Sequence, residues 1–217
     1  MIKLNLGCGS VRPVGWINTD SSLNANLQRI PFFGKKFARL FSNVDYKTNN
    51  LTYMNLNKKW NYADSYVDIV YASHLFEHLS LKSADLFLKE AYRTLIPGGV
   101  LRIVVPDLFK IAKRYINDYE ATVNDDPTKF ILWAINMNRE AQYGTPSFFK
   151  KIILELQGYP HQHKYMYDDK SLIFKIQSYG FREISSLSYG VSNFINDITD
   201  VEGTQESYLS VYVEAKK

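Results

Sequence analysis

Lys3-Leu4-Asn5-Leu6-Gly7-Cys8-Gly9 opens the chain with a short apolar run broken by two glycines around a cysteine. A run ended this way reads as a strand followed by a sharp turn, where glycine both permits the backbone angles and lets a ligand come close. A dinucleotide fingerprint would need a third small residue three positions after the second glycine, to seat a helix. Arg12 stands there and Pro13 follows, so no pyrophosphate cradled on a helix N-terminus is expected. A second run, Trp16-Ile17-Asn18-Thr19-Asp20, ends on a carboxylate. An acid at the end of the second strand of such a fold is placed to accept the two hydroxyls of a ribose. Taken singly, the glycine pair is equally a plain turn and Asp20 a loop-capping residue; together they point to a nucleoside.

Beyond this opening, short apolar runs alternate with longer helical patterns, the signature of βαβ units and a largely parallel sheet. Further strands are expected at 52–56, at Val67-Asp68-Ile69-Val70-Tyr71-Ala72 and at 100–105. Between 83 and 95 apolar residues recur at helical spacing until Ile96-Pro97-Gly98-Gly99 stops them. Residues 21–50 read as a long connection with a helical piece around 34–41. Helices are expected at 108–119, 128–138, 148–156 and 168–179, and final strands at 181–188 and 208–215. In the last, Leu209, Val211, Val213 and Ala215 share one face while Tyr212 and Glu214 share the other, the period of a half-covered strand.

The chain has 217 residues, 46% hydrophobic and 22% charged, which is a single globular domain's composition rather than a disordered one. Lys+Arg 26 against Asp+Glu 22 is too mild a balance for a nucleic-acid module, so no nucleic-acid partner is expected. The single cysteine, Cys8, excludes an internal disulfide framework and a multi-cysteine zinc site. The opening strand leaves no room for a signal peptide's apolar region, and nowhere do about 18 apolar residues run together to span a membrane. A soluble cytoplasmic protein is expected. Aromatic residues, at 15%, exceed what a core requires and concentrate in residues 108–180, where they offer platforms for a ligand.

Four stretches in register, Asn5 to Gly9, Gly15 to Asp20, Val67-Asp68-Ile69-Val70-Tyr71-Ala72-Ser73-His74-Leu75-Phe76-Glu77-His78-Leu79, and Leu95-Ile96-Pro97-Gly98-Gly99-Val100-Leu101, resemble the successive motifs of class I S-adenosylmethionine-dependent methyltransferases. The resemblance covers roughly the first half of the chain. It implies an α/β, Rossmann-like three-layer sandwich whose seven-stranded, mostly parallel sheet runs 3-2-1-4-5-7-6 with the last strand antiparallel. Carried over by position, it implies that Leu6, Gly7, Cys8 and Gly9 lie against the methionine and ribose of S-adenosylmethionine. Asp20 would hold the ribose hydroxyls, Asn55 and Leu56 the adenine, and Ser73 and His74 the methionine end. Two departures stand out: the family's acid before the first glycine is Asn5, and its third glycine is Val11, which implies a shortened or absent first helix. The single domain, 1–217, would divide into a cofactor-binding half (1–107), a helical insertion between strands 5 and 6 forming an acceptor cap (108–165), and a C-terminal helix and strands (166–217). The second half, around His161-Gln162-His163-Lys164-Tyr165-Met166-Tyr167-Asp168, is similar to bacterial methyltransferases of surface-polysaccharide assembly, which implies a sugar hydroxyl as acceptor. A small aromatic or lipid-like acceptor, or a catalytically silent cofactor-fold module, are the rival readings.

His74-Leu75-Phe76-Glu77-His78 also fits the H-x-x-E-H pattern of a zinc peptidase class. His74, however, directly follows a buried strand and should lie in the turn before any helix. The favoured reading is a hydrogen-bonded Glu77–His78 pair at the base of the cofactor pocket, with no metal expected. A sugar hydroxyl is a poor nucleophile while protonated, and a positioned base is worth roughly 10²–10⁴-fold. Histidine titrates nearest the working pH, which makes His163 the expected base, with Asp107 as runner-up or orienting carboxylate and His78 beside them. Lys110, Lys113 and Arg114 share a helix face, which reads either as a solvated surface or as a lip for an acidic acceptor.

Overall fold

A computed structural model of the chain describes residues 1–21, 50–121, 126–135, 162–202 and 208–217. In chain order its elements are β1 (Lys3–Leu6), β2 (Ile17–Asp20), β3 (Thr52–Tyr53), β4 (Val67–Ser73), a 3-10 turn (Phe76–His78), α1 (Leu81–Thr94), β5 (Leu95–Pro106), α2 (Leu108–Glu120), α3 (Pro127–Ala134), α4 (Asp169–Gln177), β6 (Arg182–Leu187), α5 (Ile198–Glu202) and β7 (Ser210–Lys216). They form one seven-stranded sheet in the order β3-β2-β1-β4-β5-β7-β6, with β7 antiparallel to both neighbours and the other pairings parallel. This is the α/β, Rossmann-like sheet order expected from the motifs. Residues 7–16 connect β1 to β2 without a helix, in keeping with Val11 in place of glycine.

Alternation along the strands sorts two cores. Leu4, Leu6, Val70, Ala72, Leu101, Ile103, Val211 and Val213 face Ala84, Phe87, Leu88 and Ala91 of α1 and Leu172 and Ile176 of α4. On the opposite face Ile69, Tyr71, Val104 and Tyr212 pack with Trp16, Ile195 and the α5 residues Ile198 and Val201. That second face also buries Arg102, whose guanidinium meets Glu202 at 2.7 Å and Glu214 at 3.4 Å. Helix starts are capped: the Ser80 hydroxyl accepts from the Ser83 amide, Asp107 from Phe109 and Lys110, and Asp168 forms a reciprocal capping box with Ser171.

Several expectations need correcting. Strand β7 is buried on both faces instead of half-covered, because Leu172 and Ile176 of α4 pack on the side of Val211 and Val213, while α5 covers Tyr212 and Ser192 and Asn193 close over Glu214. The breakers 96–99 do not separate α1 from β5; the strand begins at Leu95, opposite Val67, and the register shifts before Ile69 meets Val100. Gly98, at φ +76°, makes this irregularity, and a Cβ on Gly99 would lie 2.9 Å from the Ile96 carbonyl oxygen. The third strand is two residues long rather than five. Helix α5 went unforeseen because it is too short to show periodicity. The helical pieces expected at 34–41 and 148–156, and the end of the one at 128–138, lie outside the described residues, as do His161 and the aromatics Tyr143, Phe148, Phe149 and Tyr159.

Candidate active site

The carboxyl ends of β1, β2 and β4 meet at one edge of the sheet, where open α/β sheets bind ligands. At β1, Gly7 and Gly9 take φ +63° and +51°, angles a side chain resists. A Cβ on Gly7 would come within 2.9 Å of Leu75, so this glycine is also required for packing against the end of β4. Gly9 differs: among the described residues nothing lies within 4 Å of the position its Cβ would take. The turn therefore presents bare backbone on a side that the described residues leave open. The Cys8 amide donates to the Thr19 carbonyl at 2.9 Å, tying the turn to β2 next to Asp20. Burial, reinforced by the Asp20 carboxylate, pushes the Cys8 thiol up to about 12.

Asn5 and Asn18 brace the turn from below. Both are buried; the Asn5 amide donates at 2.9 Å to Asn18 Oδ1 and to the Val11 carbonyl, and the Asn18 amide donates to the carbonyls of Pro13 and Trp16. Sequence reading missed this pair, although asparagines inside two strands were a signal that buried polar groups would need partners. The donor set fits S-adenosylmethionine: a glycine turn open on one side, then a carboxylate at the next strand end for ribose hydroxyls. Leu6 and Leu56 turn their side chains into the core, so only their backbone could meet a cofactor. Asn55 Oδ1 accepts from the Asn57 amide. Ser73 and His74 follow at the end of β4.

His74, at φ +49°, lies in a turn as expected, and the short 3-10 turn after it carries Glu77 and His78. The Glu77 side chain is buried, yet neither carboxylate oxygen has a hydrogen-bond partner among the described residues. Three imidazoles surround it: Oε1 is 3.5 Å from His74 Nδ1, 3.8 Å from His78 Nε2 and 4.0 Å from His163 Nε2. Glu77 and His78 thus do not form the hydrogen-bonded pair expected; His78 Nδ1 turns to the Gln162 carbonyl at 3.0 Å. His163 comes from the far side of the insertion, held because the amides of Lys164 and Tyr165 both donate to the Glu77 carbonyl. Its burial outweighs the Glu77 charge and pushes the ring down to about 4. A ring held that low is neutral at pH 7 and a weak proton acceptor, which counts against the expected role of general base.

Asp107 is likewise committed elsewhere. Its Oδ1 accepts from the amides of Phe109 and Lys110 at the start of α2, and Oδ2 lies 3.6 Å from Lys110 Nζ. Lys110 in turn donates to the Ser210 carbonyl, and Arg114 reaches the Tyr208 hydroxyl and lies over the Phe130 ring at 4.1 Å. Of the basic face expected as a solvated surface or a lip, these two residues bind the insertion to the core, while Lys113 is exposed.

Residues 4–103 match the family of methyltransferase domains. The match spans β1 to β5 and supports an S-adenosylmethionine-dependent methyltransferase, with that sulfonium nucleoside as its cofactor. No curated protein matches the chain. Similar solved structures include a SAM-dependent methyltransferase from Archaeoglobus fulgidus, 17% identical with a TM-score of 0.49, the alignment covering 100% of this chain and 86% of that one. Another from Aquifex aeolicus is 14% identical at a TM-score of 0.47, covering 100% and 81%. No helix among the described residues is long and apolar enough to cross a membrane.

Proposed function

We propose that the chain methylates a hydroxyl of a saccharide in the assembly of a glycan or surface polysaccharide. The observation that carries methyl transfer is the glycine turn at the end of β1, open above Gly9 and flanked by Asp20, within the stretch that matches methyltransferase domains. Bound there, S-adenosylmethionine supplies an electrophilic methyl group on a sulfonium. The chain's own residues must hold the acceptor oxygen against that end and receive its proton. Support for a sugar comes from the aromatic faces at the root of the insertion: Phe109, Tyr119 and Tyr208 are each more than half exposed, and Arg114 is laid between Phe130 and Tyr208. Flat apolar faces beside a forked cation suit sugar rings bearing hydroxyls or acidic groups.

The test is transfer of labelled methyl from S-adenosylmethionine to a panel of nucleotide sugars, oligosaccharides and phenols. Label in the saccharides is the expected result. Label only in phenols transfers the function to a small aromatic acceptor. Binding of S-adenosylhomocysteine without transfer to any acceptor makes the chain a silent cofactor-fold module.

A further inference from the structure

We propose that Glu77, His78 and His163 form a binding site for one divalent transition-metal ion of the zinc class. One ligand atom from each lies within 4.8 Å of the others. A tetrahedral ion with bonds of about 2.0–2.1 Å separates its ligand atoms by roughly 3.4 Å, so closure on an ion needs the ligand atoms to approach by about an ångström.

The arrangement lacks something positive. Three of the five buried side-chain polar atoms without a partner among the described residues belong to this group: both Glu77 oxygens and His163 Nδ1. Concentrating such atoms in one place is costly unless a species absent from the protein satisfies them. The tautomer of His78 narrows the choice. Its Nδ1 faces a carbonyl, which can only accept, so Nδ1 bears a hydrogen and Nε2 is the ring atom turned to Glu77. At 3.8 Å that pair is too long to share a proton as a hydrogen bond. Metal-binding histidines almost always donate their other nitrogen to a carbonyl or carboxylate in this way.

The ligand set is two imidazoles and one carboxylate, which suits borderline cations such as zinc over magnesium or calcium, with room for further ligands. The scaffold holds the set in place before any ion arrives. Glu77 and His78 are adjacent in the 3-10 turn, and the strap bearing His163 is fastened to the Glu77 carbonyl by two amides. The His74 ring, half exposed and 3.5 Å from Glu77 Oε1, lies on the side open to solvent.

The full chain, stripped with a chelator and dialysed, should take up about one equivalent of Zn²⁺ by calorimetry and melt at a higher temperature with it. Co²⁺ should give visible absorption bands, and Mg²⁺ should do neither. His78→Ala and His163→Ala should each weaken Zn²⁺ binding by more than about 100-fold, beyond the loss of an outer partner. Circular dichroism and S-adenosylhomocysteine binding on the same samples separate misfolding, or failure of the cofactor reading, from failure of the ion site. Should a variant not fold, shifts of the wild-type histidine ring resonances on adding Zn²⁺ provide the same test. Absence of uptake by folded wild-type protein, or uptake that survives both substitutions, overturns the proposal.

Discussion

The side-chain amide of Asn5 is shared between Asn18 Oδ1 and the Val11 carbonyl, each at 2.9 Å, so one buried donor group fixes the distance between β1, β2 and the turn that joins them. Asn5→Ala leaves both acceptors unpaired and should cost about 1–3 kcal/mol of stability in a denaturant titration. Asn5→Asp, which puts an acid in place of the amide, should be no milder, because a carboxylate cannot donate to either acceptor. An aspartate variant as stable as the wild type would refute this account of the turn.

The two glycines of the turn should separate stability from binding. Gly7→Ala adds backbone strain of about 1–2 kcal/mol and forces Leu75 to shift, so the melting temperature should fall. Gly9→Ala meets no atom of the described residues and bears only the strain. Its methyl group enters the open space, and S-adenosylhomocysteine affinity should drop further than for any substitution of equal thermal cost. Calorimetric titration of both variants checks the contrast.

Acid lability should trace to Glu90. Arg93 grips both its oxygens at 2.6 and 3.0 Å and the Trp60 amide donates at 2.8 Å. Hydrogen bonds from Arg93 first, aided by that amide, outweigh burial and hold the carboxyl below its ordinary 4.5. A folded value lowered in this way contributes stability that is present above the unfolded value and is lost as pH falls through the folded one. Melting temperature should therefore decline below about pH 5, and Glu90→Gln should flatten that decline while lowering stability at pH 7 by roughly 1–3 kcal/mol.

Cys8 should resist alkylation. With the thiol pushed up to about 12 against an ordinary value near ~8.5, the thiolate fraction at pH 8 falls on the order of a thousandfold. Mass spectrometry after iodoacetamide treatment should find the native chain unmodified under conditions that label the unfolded chain fully. Equal rates in the two states would mean that the turn opens readily.

Much of the first half was legible because each signal was local. Strand, glycine turn and terminal acid fall within twenty residues, and hydrophobic alternation reports burial directly. What escaped the sequence was set by contacts between distant residues. The Glu77 carbonyl catches the amides of Lys164 and Tyr165, and no spacing rule announces a bond across that interval. His163 is marked as a base by residue type alone; the burial that pushes its ring down, against the pull of the Glu77 charge, is set by residues far apart in the chain. Asp107 stood at the end of a strand, where a catalytic carboxylate would stand, but the same position begins α2, and the helix claims it as a cap.

The segment between β5 and α4 leaves and re-enters the sheet through adjacent residues: Asp107 bridges Tyr167, and the Leu108 amide donates to the Tyr167 carbonyl at 2.7 Å. A loop with its two ends clasped together exerts little leverage on its host, and lengthening it adds only about 0.6 kcal/mol of closure entropy per doubling. The segment is in effect an exchangeable cassette. Replacing everything between Leu108 and Tyr167 with a counterpart of different length should leave the strands in register, so that one continuous stretch of chain can diverge while the framework around it stays the same.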